Sequence, residues 1–198
     1  MSAILALEKN GVVYMGADDV NERCGVNFYM NKEPNLKIKR MPGGILVGGA
    51  GWLRCTQYMF MHEEWFELGE GEVLDKRFIV KSIISRYYQA TKNEEWNEDT
   101  DMQSKTLNVA FIIAKGKDIF TVYNDMSVVK CDGVAAISKE NADDMLSAYA
   151  ISSQCDDPEL TIRRAFELVC TKSNDAFLAG HIINTKDLEF KRMEDVVC

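Results

Sequence analysis

A chain of 198 residues, 46% of them hydrophobic, is long enough for one domain with a substantial core. Its net charge of −8 argues against a surface that binds nucleic acid or an anionic membrane. No stretch is long and apolar enough to cross a bilayer, and the opening apolar run lacks the basic leader of a signal peptide. We therefore expect a single cytoplasmic domain over residues 1–198.

The cysteines and histidines form no metal-binding pattern. None of the six cysteines lies in a C-x-x-C spacing, and the two histidines, His62 and His181, are far apart in the sequence. A zinc site needs clustered ligands. We predict no metal and no cofactor, with most cysteines as reduced core residues and both histidines as structural or surface residues.

The chain opens on two apolar runs joined by a hairpin signal. Residues 1–7 begin the first run, Asn10-Gly11 marks the turn, and residues 12–17 form the second run. This second run ends in the acidic pair Asp18-Asp19. Further strands are predicted over residues 25–30, 36–41 and 45–51, where apolar residues alternate with polar ones or form β-branched runs.

Helices and strands then occur in blocks. The spacing of apolar residues predicts helices over 53–68, 75–91, 141–153 and 158–171, and strands over 106–114, 118–123, 128–137, 176–183 and 188–193. Asp157 is the expected N-cap of the last helix, with Pro158 at its first position. Residues 93–101 are predicted as an acidic surface loop, in which Trp96 indicates contact with a partner or a neighbouring subunit.

This order of elements predicts the fold class. Strands and helices are segregated, which favours an α+β fold over a parallel doubly wound sheet. Two helix pairs are long enough to cover both outer faces of two stacked antiparallel sheets. We predict a four-layer αββα sandwich of two antiparallel sheets between helix pairs.

The start of the chain carries the candidate nucleophile. If Met1 is removed, Ser2 presents a hydroxyl and a free α-amine on the same residue. An α-amine titrates near ~8, so it can act as general base for its own hydroxyl at neutral pH. A retained Met1 would convert this amine into an amide, which is not a base.

The joint order of several motifs resembles a known family. The motifs are Ser2 before the first strand, Asn10-Gly11-Val12-Val13, a strand ending in Asp18, Lys37 at the start of a short strand, Val47-Gly48-Gly49-Ala50-Gly51 before a helix, and Asn174-Asp175-Ala176-Phe177. Together they are similar to the proteasome β-type subunits and their bacterial ring-peptidase relative, in the N-terminal-nucleophile hydrolase superfamily.

The resemblance implies a role for each matched residue. Ser2 takes the place of the family's N-terminal threonine. Asp18 and Lys37 form a buried pair beside the nucleophile, and the lysine cation lowers the cost of ionising the hydroxyl. Gly51 brings a backbone amide to the developing oxyanion, and Asp175 supports the amine.

Three positions depart from the family pattern. Ser2 lacks the threonine methyl that restricts χ1. The family's late Gly-Ser-Gly aligns with Ser138-Lys139-Glu140, where Ser138 replaces the helper serine after a shift of one residue or the helper is missing. Leu178-Ala179 stand where the family has a serine after the late aspartate.

The resemblance implies a peptidase that forms an acyl-enzyme on Ser2. It also implies stacked homo-oligomeric rings, a polypeptide substrate and an unfolding ATPase as partner. A second hypothesis is a catalytically silent subunit that keeps the fold as a structural or interaction module, favoured by Ser138-Lys139-Glu140 and by Trp96 in its acidic loop. A third keeps the superfamily and changes the substrate to a small amide.

Overall fold

The computed structural model describes residues 3–23, 26–29, 37–92, 97–100, 104–138, 142–172 and 178–196. Within these ranges, residues 21–23, 26–29, 97–100 and 104–106 are described by their backbone alone. The sequence predictions that concern Ser2, Trp96, Lys139-Glu140 and Asp175 lie outside the described residues.

Fourteen strands and five α-helices occur in the described residues. The strands are β1 (Ala3–Lys9), β2 (Val12–Asp18), β3 (Val20–Arg23), β4 (Val26–Tyr29), β5 (Ile38–Met41), β6 (Ile45–Gly51), β7 (Asn97–Thr100), β8 (Ser104–Leu107), β9 (Val109–Lys115), β10 (Asp118–Val122), β11 (Val128–Cys131), β12 (Val134–Ser138), β13 (Gly180–Asn184) and β14 (Lys191–Arg192). The helices are α1 (Leu53–Met61), α2 (Lys76–Phe78), α3 (Ser85–Thr91), α4 (Ala142–Ser152) and α5 (Pro158–Lys172), and the π-helical segment Ile79–Ile84 joins α2 to α3. Short 3-10 turns occupy Pro42–Gly44, Glu63–Phe66 and Met193–Asp195.

Two five-stranded antiparallel sheets form the centre of the fold. The first has the strand order β12-β1-β2-β13-β14, and the second has the order β11-β10-β9-β6-β5. Strands β3 and β4 form one separate ribbon, and β7 and β8 form another. The predicted α+β sandwich of two antiparallel sheets is confirmed. No helix in the described part of the chain is long and apolar enough to cross a membrane.

Three apolar clusters fill the spaces between the four layers. Along β1, Ile4 packs between the sheets while Leu5 packs against α4 and α5, because successive side chains of a strand point to opposite faces. On the second sheet, Val47 and Phe111 pack under α1 and the α2–α3 segment. Fully burying a leucine or phenylalanine stabilises the fold by roughly 1.5–3 kcal/mol, so both faces of each sheet contribute to holding the layers together.

The first hairpin forms as the sequence predicts. Asn10 has φ +55° and Gly11 has φ +82°, the two positive values that a type I′ turn requires. The Glu8 carboxylate also accepts a hydrogen bond from the Gly11 amide at 2.6 Å. This turn sets the register that pairs β1 with β2 along their whole length.

The predicted strand over 128–137 is instead two strands in different sheets. Strand β11 forms an edge of the second sheet and β12 forms an edge of the first. Gly133 lies between them with φ +75°, a conformation that no continuous strand contains. Its carbonyl accepts a hydrogen bond from the Glu8 amide at 2.7 Å, which fixes the crossing to β1.

Other boundaries differ from the predictions. The helix predicted over 53–68 ends at Met61 and continues as a 3-10 turn. The strand predicted over 106–114 is interrupted at Asn108, and the last predicted strand is reduced to β14. Part of the predicted acidic loop is strand β7, which pairs with β8. These are places where pairing or packing between distant segments overrides the local pattern.

Candidate active site

Four strand ends of the first sheet meet at one place. Ala3 at the start of β1 lies opposite Ser138 at the end of β12. Asp18 at the end of β2 lies opposite Gly180 at the start of β13. The Ala3 amide donates a hydrogen bond to Asp18 Oδ1 at 3.0 Å, which joins the two central strand ends. Asp18 and Ser138, two of the residues predicted to matter for function, therefore lie at the same end of the first sheet.

Asp18 and Lys37 form a buried ion pair at this edge. Lys37 Nζ lies 2.8 Å from Asp18 Oδ1, and the side chains are 2% and 0% exposed, respectively. The ammonium also donates to the Val20 carbonyl at 2.5 Å. Lys37 lies just before β5 of the second sheet, and its own carbonyl accepts from the Gly49 amide at 2.8 Å. The ion pair therefore links the two sheets.

Burial shifts the pKa of both partners in the direction that favours their neutral forms. It raises the pKa of the Asp18 carboxyl, and this shift is opposed by the Lys37 charge and by hydrogen bonds from Lys37 and from the Ala3 amide. It lowers the pKa of the Lys37 amine, and this shift is opposed by Asp18 and, through its charge alone, by Asp19. Asp18 Oδ2 is buried with no hydrogen-bond partner among the described residues. A buried pair with a spare acceptor is typical of a site that handles protons.

Gly51 occupies a backbone position that only glycine fits. It ends β6 with φ +137°, and a Cβ atom there would lie 2.3 Å from the Asn108 carbonyl oxygen. The Trp52 amide donates to the same carbonyl at 2.8 Å, which fixes the turn into α1. The close approach of β9 thus explains why the glycine-rich end of β6 is needed.

Gly51 and Ser138 line one open cleft of about 370 Å³. Its other lining residues are Ala50, Trp52, Leu107, Asn108, Val109, Ala110, Tyr123, Asn124, Ile137 and Asp143. Apolar and aromatic side chains with a few amide groups and one carboxylate are a lining typical of a ligand-binding cleft. Because Ser138 lies opposite Ala3, the cleft opens beside the start of β1.

The Ser138 hydroxyl is bound to the start of α4. It donates to Asp143 Oδ1 at 2.9 Å and accepts from the Asp143 amide at 3.2 Å. This reciprocal contact satisfies one of the amide donors that the first turn of a helix leaves unpaired. A hydroxyl oxygen can accept two hydrogen bonds, and no second donor to it occurs among the described residues.

Ser138→Ala is expected to lower the free energy of unfolding by about 1 kcal/mol, because the Asp143 amide loses its acceptor. Urea unfolding of the variant measures this. Ser138→Thr, which keeps the hydroxyl, serves as the control. An unchanged urea midpoint for Ser138→Ala would show that the capping contact adds no stability.

Solved structures resemble this chain over nearly its whole length. BPH of Thiobacillus denitrificans in complex with epoxomicin superimposes with a TM-score of 0.72 at 17% identity, covering 94% of this chain and 99% of that chain. A second structure of BPH from the same organism gives a TM-score of 0.70 at 18% identity, covering 94% of this chain and 98% of that chain. Eukaryotic HslV from Trypanosoma brucei gives 0.68 at 15% identity, covering 92% and 98%.

This chain has the proteasome-like fold. The resemblance predicted from the motifs is thereby confirmed at the level of the fold. No protein-family model and no curated protein matches the sequence. The proteasome-like fold alone does not determine what the chain does.

The proteasome-like fold brings together some of the predicted site residues. Asp18 and Lys37 are in contact, and Gly51 and Ser138 share the adjacent cleft. Ser2 and Asp175 lie outside the described residues. No group of three or more His, Cys, Asp or Glu side chains within the described residues is arranged to hold a metal ion.

The sequence analysis missed two polar pairs at this edge. One is the contact between Ser138 and Asp143. The other joins Asp19 to His181, whose Nδ1 lies 3.0 Å from Asp19 Oδ1. The tandem Asp18-Asp19 at a strand end was the available signal, but its partner is 162 positions away in the sequence.

Proposed function

We propose that this chain is a peptidase of the N-terminal-nucleophile type, in which Ser2 becomes the nucleophile after Met1 is removed. The observation that carries the proposal is the buried Asp18–Lys37 pair, which is hydrogen-bonded to the amide of Ala3, the residue directly after Ser2. Burying two charges costs several kcal/mol for each ion. Because of this cost, a role in chemistry at the start of the chain explains the Asp18–Lys37 pair better than a contribution to fold stability does.

The proposed reaction begins with proton transfer within Ser2. Its α-amine takes the hydroxyl proton as the oxygen attacks the peptide carbonyl carbon. The Lys37 ammonium lowers the cost of negative charge on the attacking oxygen. The carbonyl oxygen becomes an oxyanion facing the amide of Gly51, an interaction whose loss in comparable sites costs roughly 3–4 kcal/mol.

The second half of the reaction releases the products. The C–N bond breaks, the leaving amine takes the proton from the Ser2 ammonium, and an acyl ester of Ser2 remains. Water then attacks this ester with the Ser2 amine again as base, which returns the hydroxyl and releases the carboxylic acid. We propose that Asp175 supports the Ser2 amine. We also propose that the Ser138 hydroxyl oxygen accepts a hydrogen bond from this amine.

The same proposal covers assembly and location. It places the chain in stacked homo-oligomeric rings in the cytoplasm, with polypeptide as the substrate and an unfolding ATPase as the partner that delivers it. Large apolar side chains on the outer helices support this assembly, since Met61 is 76% and Ile151 is 72% exposed. They are the type of residue that subunit contacts cover.

The direct test is the intact mass of the purified protein, with and without a peptide-epoxide probe such as epoxomicin, the molecule in the BPH complex. We expect loss of Met1 and one covalent adduct, with hydrolysis of an unfolded polypeptide. Ser2→Ala is expected to abolish both adduct and hydrolysis while leaving the assembly unchanged, because only the nucleophile is removed.

Ser152→Ala is a matched control for this test, because it removes an exposed serine hydroxyl at the end of α4, which donates to the Tyr149 carbonyl and lies outside the proposed site. A retained Met1 together with no adduct would contradict the proposal. Hydrolysis that persists in Ser2→Ala would also contradict it, since the activity would then come from another residue or another protein.

A further inference from the structure

The cleft that Gly51 and Ser138 share has a lining with a single formal charge. Among the described residues that line it, Asp143 is acidic and none is basic. Asp143 also forms no ion pair with any residue in the described part of the chain. A carboxylate without a countercharge in a cleft attracts a cationic group of a ligand.

Asp143 is held in a fixed position by the end of β12. Its Oδ1 accepts a hydrogen bond from the Ser138 hydroxyl at 2.9 Å, and its amide donates to the same hydroxyl oxygen at 3.2 Å. These contacts leave Oδ2 with no hydrogen-bond partner among the described residues. Because Ser138 lies opposite Ala3 in the strand ladder, the carboxylate is fixed close to the start of β1.

Two exposed aromatic rings of the lining suit the same kind of ligand. Trp52 is 42% exposed and Tyr123 is 44% exposed. The faces of aromatic rings attract cations, and the Arg54 guanidinium already lies 4.7 Å from the centroid of the Trp52 ring. A lysine or arginine side chain has an apolar stem that packs against such rings and a charged head that pairs with a carboxylate. A side chain of this type therefore matches both parts of the lining.

The ribbon of β7 and β8 adds negative charge beside the cleft. Leu107, the last residue of β8, lines the cleft and lies opposite Asn97, the first residue of β7. Strand β7 contains Glu98 and Asp99, and β8 contains Lys105. The two strands therefore carry one more negative than positive formal charge, which favours the approach of a cationic polypeptide.

We propose that Asp143 is a specificity-determining residue, which binds a lysine or arginine side chain of a polypeptide in this cleft. The inference rests on the proposed function for the statement that this polypeptide is a substrate, but the binding itself needs no hydrolysis. The cation pairs with Oδ2, the oxygen that Ser138 does not use, and the stem of the side chain packs against Trp52 and Tyr123. A glutamate at the same place would bring two carboxylates together.

The test compares three peptides that are identical except for one residue, which is lysine, norleucine or glutamate. Norleucine has the apolar stem of lysine without the ammonium. Fluorescence anisotropy of the labelled peptides measures their binding to the full-length Ser2→Ala variant, which lacks the proposed nucleophile. We expect the lysine peptide to bind about 5-fold more tightly than the norleucine peptide, the upper end for an exposed ion pair, and the glutamate peptide to bind most weakly. High salt is expected to reduce these differences, because it screens the charges.

Two substitutions in the Ser2→Ala protein locate the preference. Asp143→Asn removes the charge and keeps an oxygen that accepts from the Ser138 hydroxyl, so we expect lysine and norleucine peptides to bind equally. Asp144→Asn is the matched control, because it removes a charge from an exposed residue of the same helical turn that does not line the cleft. The 5-fold preference is expected to remain in this control.

Three results would overturn the inference. The first is binding of none of the three peptides, and the second is equal affinity for the lysine and norleucine peptides in the Ser2→Ala protein. The third is a preference for lysine that survives in Asp143→Asn. Because the first two results and the effect of salt are measured without changing Asp143, the inference is tested even if Asp143→Asn fails to fold.

Hydrolysis assays separate this inference from the proposed function. In the unsubstituted protein we expect a higher kcat/KM for the lysine peptide than for the norleucine peptide, mainly through a lower KM, and loss of this difference in Asp143→Asn. Cleavage without a preference for lysine would contradict the inference and leave the proposed function intact. Preferential binding of the lysine peptide by a protein that cleaves none of the three would contradict the proposed function and leave the binding site in place.

Discussion

Replacing Lys37 with methionine is expected to remove peptidase activity and to destabilise the fold more than any surface change. The substitution leaves Asp18 buried, with the Ala3 amide as its one donor among the described residues. Breaking a buried pair from one side costs about 3–5 kcal/mol, because an uncompensated charge remains. If the proposed reaction is correct, loss of the lysine cation is expected to lower kcat/KM by about 10²–10⁴-fold, the range of a positioned acid–base group. Urea unfolding and a peptide hydrolysis assay measure the two effects.

The destabilisation is expected to depend on pH in a definite direction. Burial already raises the pKa of Asp18, and loss of the lysine raises it further. The folded variant then binds a proton that the unfolded chain releases above about pH 4. Stability of Lys37→Met is therefore expected to fall as pH rises from that value through the raised folded pKa. A loss of unfolding free energy in Lys37→Met that is equal at acid and neutral pH would contradict this expectation.

Two variants separate stability from chemistry. Lys130→Met removes a surface partner of Asp118, with side chains 60% and 34% exposed, and is expected to cost less than about 1 kcal/mol. The double variant Asp18→Leu with Lys37→Met removes both buried charges and is expected to recover much of the stability. Its activity is expected to stay lost. Recovery of activity in the double variant would contradict the role of Lys37.

Gly51→Ala is expected to destabilise the protein by about 3 kcal/mol. The added Cβ would lie 2.3 Å from the Asn108 carbonyl oxygen and 2.7 Å from Val109 Cα, at a φ of +137°. Both obstacles are backbone atoms of β9 or of its start, so no side chain can rotate away. The end of β6 must move, and the amide proposed for the oxyanion moves with it. We expect kcat/KM to fall by about 10²–10³-fold.

Gly133→Ala is the matched control for this substitution. Gly133 also has a positive φ, +75°, but its Cβ position has no heavy atom within 4 Å. The cost there is conformational strain alone, about 1 kcal/mol. Urea unfolding measures the loss of stability from backbone strain alone in Gly133→Ala, and from strain together with a steric clash in Gly51→Ala. Equal losses of unfolding free energy in the two variants would show that the end of β6 can move away from β9 without further destabilising the fold.

Local chemistry explains what the sequence could predict of the fold. Asn10-Gly11 allows one hairpin geometry, and Asp157 accepts from the amides of Glu159 and Leu160 at 2.9 and 3.2 Å, the cap predicted for α5. Apolar spacing located the α4 and α5 helices within one or two residues of the observed ends. In each case the decisive contacts are made within a few positions along the chain.

What could not be predicted depends on contacts between distant segments. The sequence pattern predicts one strand over residues 128–137, whereas its two halves belong to different sheets. Apolar patterning does not reveal which sheet each half joins. Asp18 and Lys37 were paired through the resemblance rather than through their spacing. Asp19 and His181 are 162 positions apart and match no motif. Their contact follows only from the ladder that places β13 beside β2.

The ion pair between Asp18 and Lys37 cannot form before the two sheets have packed together. Its acid belongs to one sheet and its amine to the start of the other, so neither half of the molecule alone holds both. Under the proposed function, a chain whose sheets have not yet packed would lack the lysine cation that the reaction requires. Peptide cleavage would then be confined to fully folded molecules.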